Sequence, residues 1–189
     1  MILFHATTET KGKKILKEGV IKINSPSSFD DIPKMFYETP EQYVNLETEK
    51  GFVYFSNRIS VAHDIIKSTV NEDDDFIYIF KLNIPDVYLL PDLQQAKIMN
   101  SNATNTMEIL KECFSTRVNF DVNIKKYQGE LTKIPSIWNY YSFSKKYPDS
   151  DKKIFDDIRN WVSDSHNYFT KDIEKKEKEF EKNFKWEKI

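Results

Sequence analysis

The chain has 189 residues, enough for one domain with a sizeable core. It is 39% apolar, 31% charged and 14% aromatic. So many rings argue against disorder, and a formal net charge of -2 excludes a global positive field that would gather nucleic acid. One cysteine, Cys113, excludes a disulfide framework and suits a reducing compartment. No apolar run reaches the ~18 residues of a spanning helix. Met1 to His5 lacks a basic leader region, so a cytoplasmic protein with no membrane partner is expected.

The strand-like run Ile2 to Ala6 ends on Thr7-Thr8-Glu9-Thr10, where Thr8 or Thr10 can cap a helix over Lys11 to Glu18. Gly19 is a good stop for that helix, and Val20 to Ile23 resumes a strand. Asn24 to Lys50 is irregular, with Pro26, Pro33 and Pro40. Short helices are expected at Asp31 to Phe36 and Pro40 to Glu47, and so long an excursion is often functional. Phe52 to Ser56 predicts a strand. Ile59 to Thr69 predicts a helix with Val61, Ala62, Ile65 and Ile66 inward, followed by an acidic turn over Asn71 to Asp75.

Phe76 to Leu82 alternates as a strand does, and Pro85 and Pro91 end it. Met107 to Phe114 predicts a helix. Thr116 to Val122 alternates with Val118, Phe120 and Val122 on one face, Ile124 to Tyr127 continues that edge, and Glu130 to Ile134 is a short ending. From Ile154 the apolar residues Ile158, Trp161, Val162, Phe169, Ile173, Phe180 and Phe184 recur at helical steps. The chain thus divides into a domain over 1–150 and an amphipathic, charge-rich helical element over 151–189. The Glu/Lys-dense stretch from Lys171 to Lys188 reads first as a solvated helix held by i,i+4 pairs, and second as a surface for a protein partner.

Four scattered glycines leave no phosphate-binding Gly loop. His5, His63 and His166 form no HExxH motif, and no CxxC occurs, so a metal site has no support. His5 sits near the end of the first strand. A histidine there is more often a hydrogen-bonded core residue than a ligand contact, but strand ends line many pockets. Tyr54 in a strand is commonly core, although an exposed ring can stack on a flat ligand. Arg117 reads as a surface strand residue or, less readily, as a forked contact for phosphate. Lys125, Lys126, Lys133, Lys145 and Lys146, with Tyr127, Tyr140 and Tyr141, fit a nucleic-acid track or a plain solvated surface equally well.

The order of segments carries more than any one of them. Leu3-Phe4-His5-Ala6-Thr7-Thr8 is followed by a helix stopping at Glu18-Gly19-Val20. Gly51-Phe52-Val53-Tyr54-Phe55-Ser56 precedes another helix, and Ser115-Thr116-Arg117-Val118-Asn119-Phe120-Asp121 comes last. This order resembles the ADP-ribosyltransferase superfamily, which includes the poly-ADP-ribose polymerases and the RNA 2′-phosphotransferases, over roughly residues 2 to 134. The resemblance implies an α+β fold with a split β-sheet core and flanking helices, to which the helical element over 151–189 adds a C-terminal extension. It also implies NAD as the bound nucleotide. His5 would hydrogen-bond a ribose of NAD, Thr7 would stand beside it, Tyr54 would stack on nicotinamide, and Ser60 and Ala62 would lie on the helix beside the pocket.

Two departures from the family pattern stand out. Ala6 replaces a common glycine, and Ser115 or Thr116 stands where the family places a catalytic glutamate. Ser115, Thr116 and the nearby acid Glu112 are the catalytic candidates, with Asp121 and Glu130 as further acids. The expected activity is transfer of ADP-ribose from NAD to a macromolecule, protein or nucleic acid. The Lys/Asn/Ile-rich, glycine-poor composition resembles that of proteins from an AT-rich bacterium or a phage, a setting that suits a toxin or a phage–host conflict factor. The alternative is a non-catalytic nucleotide-binding or protein-interaction module that keeps the fold without the glutamate.

Overall fold

The computed structural model describes residues 1–23, 51–67, 70, 73–137, 139–164, 173–182 and 184–189. The expected short helices between residues 24 and 50 and the expected core residue Phe169 lie outside these, as do the side chains of Val162, Ile173 and Phe180.

The chain is mixed α+β. Strand β1 (Ile2–Thr8) leads directly into helix α1 (Glu9–Glu18), which begins two residues earlier than its apolar pattern suggests because Thr8 caps it. The Thr8 side chain accepts from the Lys11 N–H, and Gly19 ends the helix in the left-handed region at φ 72°, its N–H returning to the Ile15 carbonyl. Strand β2 is only Val20–Ile21. Next come β3 (Val53–Ser56), α2 (Ile59–Lys67) and β4 (Phe76–Asn83). After a short 3-10 turn at Asp86–Tyr88 come α3 (Leu93–Ile98), α4 (Thr106–Glu112), β5 (Ser115–Val118), β6 (Val122–Asn123) and β7 (Glu130–Pro135). The C-terminal part holds α5 (Tyr140–Lys146), α6 (Lys152–Asp164), α7 (Ile173–Glu181) and β8 (Glu187–Lys188).

Six strands form one antiparallel sheet in the order β5-β3-β1-β4-β7-β8, and β2 pairs with β6 in a separate ribbon. The pairing is uneven. β1 and β4 match along seven positions from Ile2 opposite Asn83 to Thr8 opposite Ile77, whereas β1 and β3 match only at Phe4 opposite Ser56. The sheet therefore opens between β1 and β3 on one side of that single register point.

Both sheet faces are covered. One face carries Leu3, Phe55, Tyr78, Phe80, Leu82, Val118 and Leu131. The other carries Phe4, Ile77, Ile79 and Ile134, packed under Ile59, Ala62, Ile66, Ile158, Trp161 and Phe184. This explains why β4 is buried on both its alternating sets rather than one. From the C-terminal part, Ile158, Trp161, Phe184 and Trp186 share this second layer, and β8 pairs with β7, Glu187 opposite Leu131.

Some sequence expectations change in detail. The alternating run Thr116 to Val122 is two strands in two sheets, joined by a bend at Asn119 and Phe120. The alternation persists because Val118 and Val122 enter the same core from both sides of the bend. Ile124 to Tyr127 is a turn rather than an edge, although both end residues are buried. Ile65 is exposed, while Val61, Ala62 and Ile66 face inward. Helices α3 and α5 carry too few apolar repeats to be read from periodicity. They are started by side-chain caps, Asp92 accepting from the Gln95 N–H and Asn139 from the Tyr141 N–H.

Candidate functional site

A cleft of about 440 Å³ lies where β1 and β3 part. That size is ordinary for a small-molecule pocket. Its floor is Phe4 to Thr7 of β1 and Val53 to Ser56 of β3. Helix α1 and the start of the ribbon supply Lys11, Lys14 and Lys22 along one side. Ala62, Ile65 and Ile66 of α2, with Ile98 of α3, supply an apolar side. Asp92 and Ser115 close the remaining wall.

Two buried acids tie the start of α1, and with it this wall of the cleft, to the start of β4. Glu9, buried at the start of α1, accepts the N–H groups of Asp75 (2.9 Å) and Phe76 (3.2 Å) and pairs with Lys13 at 2.7 Å. Asp74 accepts both the N–H and the hydroxyl of Thr10, at 2.8 and 3.0 Å. A carboxylate that collects backbone N–H groups offsets the orphan donors of a helix start and a strand start together.

His5 lies in mid-strand rather than at a strand end, because β1 continues to Thr8. Its Nδ1 lies 3.0 Å from the Tyr54 carbonyl oxygen across the opening. A carbonyl only accepts, so Nδ1 carries the proton and the neutral ring keeps Nε2 as an acceptor. Burial pushes the His5 imidazole below its ordinary range, against the pull of that hydrogen bond. The ring also stands 5.7 Å from Phe55. Tyr54 is half-buried, with Phe52 edge-on at 6.3 Å. Thr7 is buried in the floor beside them.

The catalytic candidates separate. Ser115 lies in the wall and donates its hydroxyl to Asp92 Oδ2 at 2.5 Å. Thr116, next in the strand, projects to the opposite face and donates to the Leu90 carbonyl at 2.9 Å. Glu112 is exposed outside the cleft lining and accepts from Ser101. Ser60 is also outside the lining. It is fully buried, and its N–H donates to Glu177 of α7 at 3.2 Å. Among the acids held in reserve, Asp121 accepts the Ile23 N–H and Glu130 stands 3.6 Å from Lys81. Arg117 is buried rather than on the surface, its guanidinium 4.1 Å over the Phe52 ring. Tyr127, considered above for stacking on nucleic acid, is buried, and Tyr140 donates to the Ser150 carbonyl.

Asp92 is the residue that sequence reasoning missed. It sits in the segment that ends β4 and lies 23 positions from Ser115. The only local signal was an acidic residue ahead of Leu93-Gln94-Gln95-Ala96, which is an N-cap pattern.

Among the described residues no cluster of His, Cys, Asp and Glu could hold a metal ion, and no helix is long and apolar enough to cross a membrane. No protein-family model matches the chain, no curated protein matches it, and no solved structure matches it.

Proposed function

We propose that the protein is an ADP-ribosyltransferase-like enzyme that binds NAD in the cleft between β1 and β3 and transfers ADP-ribose to a macromolecule. The observation that carries this reading is an adjacency. The three segments whose sequences resemble the family form β1, β3 and β5, which are neighbours in the sheet, and the sheet opens beside His5 and Tyr54. The reading includes the split sheet of that fold, the likeness over residues 2 to 134, and NAD as the nucleotide consumed.

The lining fits a dinucleotide. Three lysines on one side suit a diphosphate, and Lys22 is shared with Glu18 at 3.0 Å. The apolar side and the Tyr54 ring suit a flat base. Neutral His5 offers Nε2 to a ribose hydroxyl, and the hydrogen bond on its other nitrogen fixes the ring. In transfer, the bond between ribose C1′ and the nicotinamide nitrogen breaks, and its electron pair leaves with nicotinamide. The positive charge passes from the pyridinium to the ribose. A nucleophile of the acceptor adds to C1′ and its proton is lost to water.

Calorimetry with NAD, followed by nicotinamide release with and without protein and nucleic-acid acceptors, tests the reading. Binding that Tyr54→Ala weakens about tenfold or more, together with nicotinamide release, is expected. The absence of NAD binding by the intact chain overturns it. Binding without release at any acceptor favours the non-catalytic nucleotide-binding module.

A further inference from the structure

Resting on that reading, we infer that Asp92 supplies the active-site carboxylate, delivered to the β5 position by Ser115. The family pattern puts a glutamate on the third motif strand, and here Ser115 or Thr116 stands there, neither of them charged; of the two, Ser115 lines the cleft. In the fold, Ser115 stands opposite Ser56, and Ser56 stands opposite Phe4, so it lies in the row where the three motif strands meet. Its hydroxyl does not face solvent. It donates to Asp92 Oδ2 at 2.5 Å, and both residues line the cleft.

Asp92 is buried and held from two sides. Oδ1 accepts the Gln95 N–H at 3.0 Å and Oδ2 accepts the Ser115 hydroxyl. Each oxygen keeps a second lone pair, so the carboxylate can still accept from a ribose hydroxyl. A buried carboxylate beside C1′ offsets the positive charge that develops there, and it does so with little reorganisation because both oxygens are already fixed.

The strand start that presents Ser115 is also held by several contacts. Phe114, just before it, has φ 58°, a left-handed conformation that is costly for a bulky residue. Its carbonyl accepts from the Ser56 hydroxyl (2.6 Å) and the Asn57 N–H (3.2 Å), and the Arg58 guanidinium lies 3.7 Å over its ring. The surroundings thus hold the turn that aims Ser115 at Asp92. Asp92 is the proposed catalytic residue, and Ser115 is a positioning residue.

The test uses the full chain, NAD itself, calorimetric binding and the rate of nicotinamide release. Asp92→Asn keeps the shape and removes the charge. It is expected to bind NAD within a few-fold of the parent and to release nicotinamide about 10²–10³-fold more slowly. Ser115→Ala is expected to lower kcat about tenfold with KM nearly unchanged, Ser115→Thr to restore it, and Ser115→Glu to recover release in the Asp92→Asn background. Release at the parent rate by Asp92→Asn overturns the inference and leaves the NAD reading standing. If Asp92→Asn does not fold, an unchanged kcat in folded Ser115→Ala overturns it. A parent chain that binds no NAD removes both the reading and the inference.

Discussion

His5 and Tyr54 are joined across the opening of the sheet by a hydrogen bond from the imidazole Nδ1–H to the Tyr54 carbonyl oxygen, 3.0 Å long. The backbone of one motif strand thus fixes the tautomer of the other's side chain, at the point where ladder pairing between them has stopped. A histidine held this way is a neutral acceptor at pH 7.

That state has a pH signature. The folded pKa of His5 lies below its unfolded value near 6.5, because burial disfavours the cation. The unfolded chain therefore binds the proton more readily, and stability is lost as pH falls from 6.5 toward the folded value. Urea midpoints measured at pH 7 and pH 5 should fall for the parent chain and fall less for His5→Gln. An equal drop in both excludes His5 as the source.

Gly12 is set by contact rather than by turn geometry. It lies in the middle of α1, and a Cβ there would overlap the Tyr78 ring, with Tyr78 Cβ only 2.8 Å away. Alanine would gain about 1 kcal/mol of helix propensity. Overpacking against a rigid ring in the core costs about 1–3 kcal/mol, and it dominates if α1 must move. Chemical denaturation of Gly12→Ala should show a net loss of about 1 kcal/mol, and a gain would mean that the helix yields freely.

Helix α5 is anchored by Asp75. Its carboxylate pairs with Lys146 at 2.7 Å and accepts the Tyr147 hydroxyl at 2.9 Å, while Phe143 and Tyr147 stack at 4.7 Å. The Lys146 hydrogen bond holds the Asp75 carboxyl below its usual 3.8, so its contribution is present above that pH and is lost as pH falls further. Burial, with Asp75 second, pushes the Tyr147 phenol up to about 12, so its contribution is present below pH 10 and is lost as pH rises toward 12. Tyr147→Phe should cost about 1.5 kcal/mol at pH 7 and flatten the alkaline limb of the stability profile. An unchanged limb assigns it elsewhere.

The chain end belongs to the core. Phe184 is buried against Trp161 at 5.5 Å and Trp186 at 6.3 Å, and Trp186 reaches Phe4 of β1 at 6.1 Å. Phe184→Ala should cost about 3–5 kcal/mol in urea or thermal unfolding, whereas Lys185→Ala, which is exposed, should stay within about 0.5 kcal/mol. A small effect at Phe184 would make 151–189 an appendage in energetic as well as sequence terms.

Periodicity and caps determined much of this molecule without any tertiary information. The strand of His5, the helix between Thr8 and Gly19, the strand of Tyr54 and the alternation from Phe76 are local patterns. The helix satisfies its backbone groups from its own neighbours, and each strand sorts its two faces by alternation, although the strand backbone groups still need a partner strand. The pairing of His5 with Tyr54 as a candidate site was also legible, through the order of short motifs. Only the tertiary structure decided the rest. Thr116 and Ser115 are adjacent in sequence, yet the pleat sends one to the Leu90 carbonyl and the other to Asp92 in the cleft. Ser60 looked toward the pocket by its helix position, but its N–H is held by Glu177, 117 residues away. Side-chain partners so distant in the chain leave no periodic trace. They are fixed by which strands pair and which helix covers them, and so the carboxylate in the cleft wall was invisible until Asp92 was brought to Ser115.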